Sequence, residues 1–242
     1  MYHPFLVSDI LFTSWYVFKK NFITIMAFSI ISYFVLIALE LIIGLLISPD
    51  EFSGATAIGF LIIFIQAYTT LGLYKLIFTL IDSEYYEFAF KQVLPGFKML
   101  FSYLVVGFVM AFVIANFAIL LKYMERYPTA HDVIKGIGFT VALYLFLRIM
   151  FFITFIVDDQ SGPFESLKQS FRMTKGFILK MLIILLLILL LVAVPAEMSA
   201  YYGFLSFLLA FTYPFASIIL SVAYRKLVYS HQDVDDDLAE TK

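Results

Sequence analysis

From Met181 to Val192 the chain carries no polar side chain. Similar stretches recur along it, and about 20 mostly apolar residues let a helix cross the hydrocarbon of a bilayer. Segments 22–47, 56–80, 98–121, 133–157, 177–197 and 202–228 meet that requirement. Turn-forming or charged clusters separate them: Ser48 to Glu51, Asp82 to Glu84, Arg126 to Pro128, Asp158 to Pro163, and Pro195 to Tyr202. Sheet edges left open in lipid would strand unpaired backbone groups. Barrel strands alternate apolar and polar residues over roughly ten positions, and the run from Met181 to Val192 does not alternate. The expected fold is therefore all-α, a polytopic membrane bundle of six transmembrane helices.

Composition supports lipid as the solvent. Hydrophobic residues make up 63% of the 242 and charged residues 14%, against about 45–50% and about 25% in soluble domains. A water-soluble fold could not bury that much apolar surface. The net charge of −2 and the scattered basic residues give no basic face of the kind that binds nucleic acid. The chain has no Cys, which excludes disulfides, thiolate metal sites and thiol nucleophiles. Residues 1–4 lack the basic region of a signal peptide, so the first span is expected to be retained.

Lys and Arg in the flanks set the expected orientation. With the N-terminus inside, the inner segments carry Lys19, Lys20, Lys91, Lys98, Lys168, Arg172, Lys175, Lys180, Arg225 and Lys226, and the outer ones only Lys122, Arg126 and Lys135. Both termini are thus expected in the cytoplasm.

The inner segments before spans one, three and five share a pattern: an amphipathic stretch, then a basic residue, then an apolar span. In the third, Phe164, Leu167, Phe171 and Ile178 fall at helical spacing, with Glu165, Lys168, Gln169, Arg172 and Lys175 on the other face. Lys91 and Lys98 repeat in Lys168 and Lys175 at an offset of 77 residues, and Lys20 precedes Lys98 by 78. This spacing predicts three tandem units, about 5–80, 86–157 and 163–228, each an interfacial helix followed by a two-span hairpin. The basic residues Lys20, Lys98, Lys168, Arg172 and Lys175 would then meet lipid phosphates. Residues 231–242, with Asp233, Asp235, Asp236, Asp237 and Glu240, read as a disordered acidic cytoplasmic tail.

Polar residues deep in an apolar span are costly and therefore candidates for function. Arg148, Glu40, Gln66 and Asn116 stand out. Arg148 lies about 15 Å along the helix from Asp158 at 1.5 Å per residue. It suits either an anion or lipid-phosphate contact in a cavity, or a fork joining two helices. Glu40 suits a pair with a neighbouring span, a neutral hydrogen bond or a proton path. Gln66 and Asn116 suit interhelical hydrogen bonds first and ligand contacts second. Lys75 lies near a span end and can snorkel. Asp158 and Asp159 adjoin the third amphipathic stretch, but two carboxylates are too few for a closed cation site. His3, His131 and His231 lie far apart in sequence. No H-E-x-x-H, G-x-S-x-G or phosphate-binding loop occurs. Gly136 and Gly138 mark a close helix contact.

From Arg148 to Gly176 the chain resembles a group of poorly characterised bacterial six-span proteins. These are related to the membrane domain attached to some glycerophosphodiester phosphodiesterases. The resemblance rests on Phe151 to Asp159, on Gly162-Pro163-Phe164-Glu165-Ser166-Leu167-Lys168-Gln169-Ser170, and on Thr174-Lys175-Gly176. It implies a membrane fold in a bacterial cytoplasmic membrane, and no catalytic domain is expected in this chain. The expected function is non-enzymatic, with no cofactor and no metal: an accessory or scaffold protein that binds membrane lipids, another membrane protein or a second copy of itself. A transporter or channel using Arg148 and Glu40 is the alternative, and a lipid head-group enzyme using Asp158 and Asp159 the second.

Overall fold

The computed structural model describes residues 5–46, 52–82, 93–203 and 206–240, without the side chains of residues 40, 44, 46, 52, 53, 55, 200, 206 and 230–240. The described residues form α1 (Val7–Lys20), α2 (Phe22–Leu46), α3 (Phe52–Asp82), α4 (Phe97–Met124), α5 (Pro128–Ile149), α6 (Phe152–Asp158), α7 (Pro163–Met173), α8 (Ile178–Tyr201) and α9 (Ser206–Glu240). No strand occurs among them. Among the described residues six segments are long and apolar enough to cross a membrane: Phe22–Ile43, Thr56–Asp82, Phe97–Met124, Pro128–Asp158, Ile178–Ser199 and Phe207–Tyr229. The protein is an all-α polytopic membrane helix bundle. Its outward side chains agree with a lipid environment: on α4, Phe108 is 71% and Phe112 62% exposed, which water would not tolerate in a continuous patch.

Contacts gather into two compact units, one of residues 1–96 and 182–242, the other Phe97–Met181. In the first, α9 packs against α1, α2 and α3, and α2 against α3. The core holds Leu71, Leu76 and Ile77 of α3, Ile10 of α1, Ile25 of α2, and Ile218, Ile219 and Tyr224 of α9. Phe215 of α9 meets Trp15 and Phe18 of α1, with ring centroids 5.9 Å and 5.3 Å apart. Neighbouring basic residues of α9 hold two different helices: Arg225 pairs with Asp82 of α3, and Lys226 with Asp9 of α1.

In the second unit, α4 packs on α5, α6 and α7, and α7 on α5 and α6. The seven-residue α6 is its most enclosed element, with Ile153, Thr154, Phe155, Ile156 and Val157 all buried. Tyr103 of α4 stacks on Phe152, with centroids 6.0 Å apart. The close glycine contact holds at Gly138, where an added Cβ would overlap the Phe117 ring, and not at Gly136, which has open space around it.

A shorter helix followed by two long apolar ones occurs in α1–α2–α3 and in α7–α8–α9. The middle amphipathic segment lies largely outside the described residues. Packing groups the helices differently from the tandem units, because α9 joins α1, α2 and α3. Helix α9 also continues through Asp233–Asp237 to Glu240, where composition leads to an expectation of disorder. Adding residues to an established helix is cheap, since only nucleation is costly.

The fourth span is not one straight helix. It breaks at Met150 and Phe151, between α5 and α6. Neither Pro nor Gly causes it. Interruption is instead suggested by Pro195 and Pro214, yet α8 and α9 run through them, as transmembrane helices allow.

Candidate functional site

The break in the fourth span has its cause on α7. There Ser166, Ser170 and Thr174 are each 0% exposed and four residues apart, so they line one face. That hydroxyl face turns inward, while Phe164, Lys168, Arg172 and Lys175 are exposed. Ser170 Oγ accepts from the Phe151 N–H at 3.1 Å and donates to the Arg148 carbonyl at 3.0 Å. The Thr174 hydroxyl lies 3.2 Å from the same carbonyl and 2.9 Å from its own Ser170 carbonyl. A break frees an N–H and a C=O that cannot stay unpaired in a buried setting, and these two hydroxyls supply the missing partners.

The loop after α6 is fixed by similar means. Gln160 takes the left-handed conformation at φ 52°, and the Asp159 and Ser161 N–H groups both return to the Phe155 carbonyl, at 3.1 Å and 3.3 Å, which closes the end of the helix. Ser161 Oγ donates to Gln169 Oε1 at 2.8 Å. Gly162 and Pro163 then start α7, with Pro at a first-turn position that needs no N–H. At the other end the chain turns through Thr174 to Phe177, with Gly176 at φ 89°.

Arg148 sits in the last turn of α5 and is 5% exposed. Its guanidinium carbon lies 4.0 Å over the Phe171 ring centroid. Its Nε is buried without a hydrogen-bond partner. The guanidinium meets no carboxylate and donates no hydrogen bond among the described residues. The expected fork between helices is therefore not formed by this side chain; the backbone carbonyl of Arg148, not its guanidinium, joins α5 to α7.

Helix α5 has 22 residues, about 33 Å at 1.5 Å per residue, which already spans the hydrocarbon. Thr174, bonded to the Arg148 carbonyl, precedes the fifth span by only a few residues. The Arg148 carbonyl is thus tied to the stretch that leads from α7 into α8. Lys175 is exposed close by in sequence, and the Lys180 ammonium lies 5.7 Å from the Phe177 ring centroid. Lys168 and Arg172 are exposed on α7.

The remaining sequence candidates are dispersed. Asp158 ends α6 half-buried, and Asp159 caps it exposed. Among the described residues no group of three His, Asp or Glu side chains could hold a metal. Asn116 is exposed on α4 and donates to the Phe112 carbonyl of its own helix at 2.7 Å, not to a second helix. Glu40 belongs to α2, but its side chain is outside the description. Lys20 is exposed in the last turn of α1, and Lys98 in the first turn of α4. Lys75 reaches the Leu94 carbonyl at 2.9 Å.

Gln66 belongs to a second candidate, in the other unit. A cavity of about 250 Å³ between α2, α3 and α9 is lined by Ser29, Ser32, Gln66, Thr70 and Tyr213 among apolar residues. The Thr70 and Tyr213 hydroxyls lie 3.2 Å apart across it. Sequence reasoning finds Gln66 alone; the serines lack a signal because helical serines in apolar spans commonly bond to their own backbone. Comparison of the chain with protein-family models, curated proteins and solved structures gives no match.

Proposed function

We propose that this chain is a non-enzymatic membrane accessory protein that holds an anionic lipid, with the headgroup phosphate at Arg148. The observation that carries the reading is a buried guanidinium with no carboxylate partner. Burying an ionised group without a counter-charge is strongly unfavourable, and a phosphate oxygen pair fits the planar N–H fork of Arg. Phe171 covers the guanidinium carbon at 4.0 Å, and the N–H groups are left to the ligand. The exposed Lys168, Arg172 and Lys175 add a positive field at the membrane surface. The basic bias of the inner loops and the resemblance to bacterial six-span proteins support a cytoplasmic membrane with both termini inside and the site in the inner leaflet.

The test is lipid retention by the purified protein. Mixed micelles of phosphatidylglycerol and phosphatidylcholine are expected to leave phosphatidylglycerol bound to the wild type, and Arg148→Met is expected to lose it. The double variant Lys168→Ser/Arg172→Ser, which removes only exposed charge, is expected to retain most of it. Equal retention by wild type and Arg148→Met, or no preference for the anionic lipid, would overturn the reading.

A further inference from the structure

The cavity between α2, α3 and α9 is independent of the Arg148 site, and its chemistry differs. Among the described residues no Lys, Arg, His, Asp or Glu lines it. Ser29, Ser32 and Gln66 line it with no hydrogen-bond partner for their side chains among the described residues. Other polar groups nearby are satisfied: Thr69 bonds back to its helix at 3.1 Å, and Thr70 meets Tyr213. Ser32 and Gln66 each lie ten residues into their candidate spans, Phe22–Ile43 and Thr56–Asp82. That is about 15 Å along each helix, near the middle of the hydrocarbon. At that depth no bulk water answers an unpaired amide or hydroxyl.

We infer that this cavity is a binding site for an uncharged amphiphile dissolved in the bilayer, one carrying a carbonyl or hydroxyl head on a hydrocarbon chain. Gln66 offers both a donor and an acceptor, and the serine hydroxyls can do either. A charged headgroup is disfavoured on two counts: no described residue of the lining compensates it, and it would stay at the interface. The volume, about 250 Å³, falls short of typical whole-ligand pockets of roughly 300–1,000 Å³, so it takes the head while the chain lies among lipid tails. The lining Phe28, Leu36 and Leu73 offer that chain an apolar wall. Two sources share this chemistry, a quinone with its carbonyls and an acylglycerol with its hydroxyl.

The experiment measures equilibrium binding of decylubiquinone and of dioctanoylglycerol to the full chain in nanodiscs, with phosphatidylglycerol as the charged comparison. Wild type is expected to bind one or both uncharged probes at least tenfold more tightly than Gln66→Leu. Arg148→Met is expected to bind them as wild type does, which separates this site from the anionic one. Binding of the quinone alone identifies a carbonyl ligand, and binding of the glyceride alone a hydroxyl ligand; both support the inference. Should Gln66→Leu fail to fold, Ser32→Ala carries the same comparison. If neither probe binds wild type, or the folded variant binds as tightly as wild type, the inference falls.

Discussion

The Phe151 N–H donates to the Ser170 hydroxyl oxygen at 3.1 Å, joining residues 19 positions apart across the break in the fourth span. Removing that oxygen leaves a buried donor unpaired, which costs roughly 1–3 kcal/mol. Ser170→Ala is expected to lower stability by that amount, read as a shift in thermal unfolding in detergent. Thr174 shares the Arg148 carbonyl with Ser170. A double-mutant cycle of Ser170→Ala with Thr174→Val is therefore expected to be non-additive.

Arg148 gives the opposite expectation for stability. Replacing a buried, uncompensated charge by an apolar side chain of similar length is neutral or favourable. In detergent stripped of anionic lipid, Arg148→Met is expected to melt no lower than wild type. Arg148→Lys keeps the charge but loses the guanidinium contact with the Phe171 ring, and it is expected to melt lower than Arg148→Met. Adding phosphatidylglycerol is expected to raise the melting temperature of wild type only.

Two residues bracketing α7 hold positive φ, Gln160 at 52° and Gly176 at 89°. A side chain in the left-handed region costs roughly 1–2 kcal/mol. Gly176→Ala is expected to destabilise by about 1 kcal/mol, with no steric contribution, because the added Cβ meets nothing within 4 Å. Gln160→Gly is expected to stabilise, by something under 1 kcal/mol once the greater freedom of the unfolded chain is counted. Thermal unfolding of both variants checks the pair of signs.

Gly136 and Gly138 are two residues apart on α5 but differ in surroundings. Gly136→Ala enters open space and is expected to stabilise by about 0.5–1 kcal/mol through helix propensity. Gly138→Ala must displace the Phe117 ring, and over-packing of this kind costs about 1–3 kcal/mol. Phe117→Leu in the Gly138→Ala background is expected to recover part of the loss.

Single cysteines test the orientation, because the chain has none of its own. Arg126→Cys is expected to react with a membrane-impermeant maleimide added to intact cells. Lys168→Cys is expected to react only after the membrane is opened. The reverse pattern would invert the proposed topology.

The six spans could be read from the sequence because length and apolarity alone decide whether a helix can sit in lipid. The boundaries follow closely: 98–121 from the sequence against Phe97–Met124 in the structure. The break at Met150 and Phe151 could not, since its cause lies about 20 residues away on α7. The helical spacing of Phe164, Leu167 and Phe171 draws attention to one face of α7. The face that decides the packing is Ser166, Ser170 and Thr174, whose four-residue spacing was equally present. Arg148 was legible as a costly residue, but its burial against Phe171 was not, because that contact depends on how α7 packs on α5. Gln66 was legible as well; its partners were not, because Ser32 and Tyr213 reach the same cavity only once α9 packs beside α2 and α3.

The pairing of Arg225 with Asp82 and of Lys226 with Asp9 bears on the order in which the protein is made. The unit Phe97–Met181 is contiguous, so everything it needs has left the ribosome before α9 is translated. The other unit is closed by residues from opposite ends of the chain, and α1 and α3 must wait for their last partner to be synthesised. Domains assemble as units during synthesis; the middle of this polypeptide therefore matures first, and a nascent chain arrested before Ser206 would display α1 and α3 without the helix that ties them.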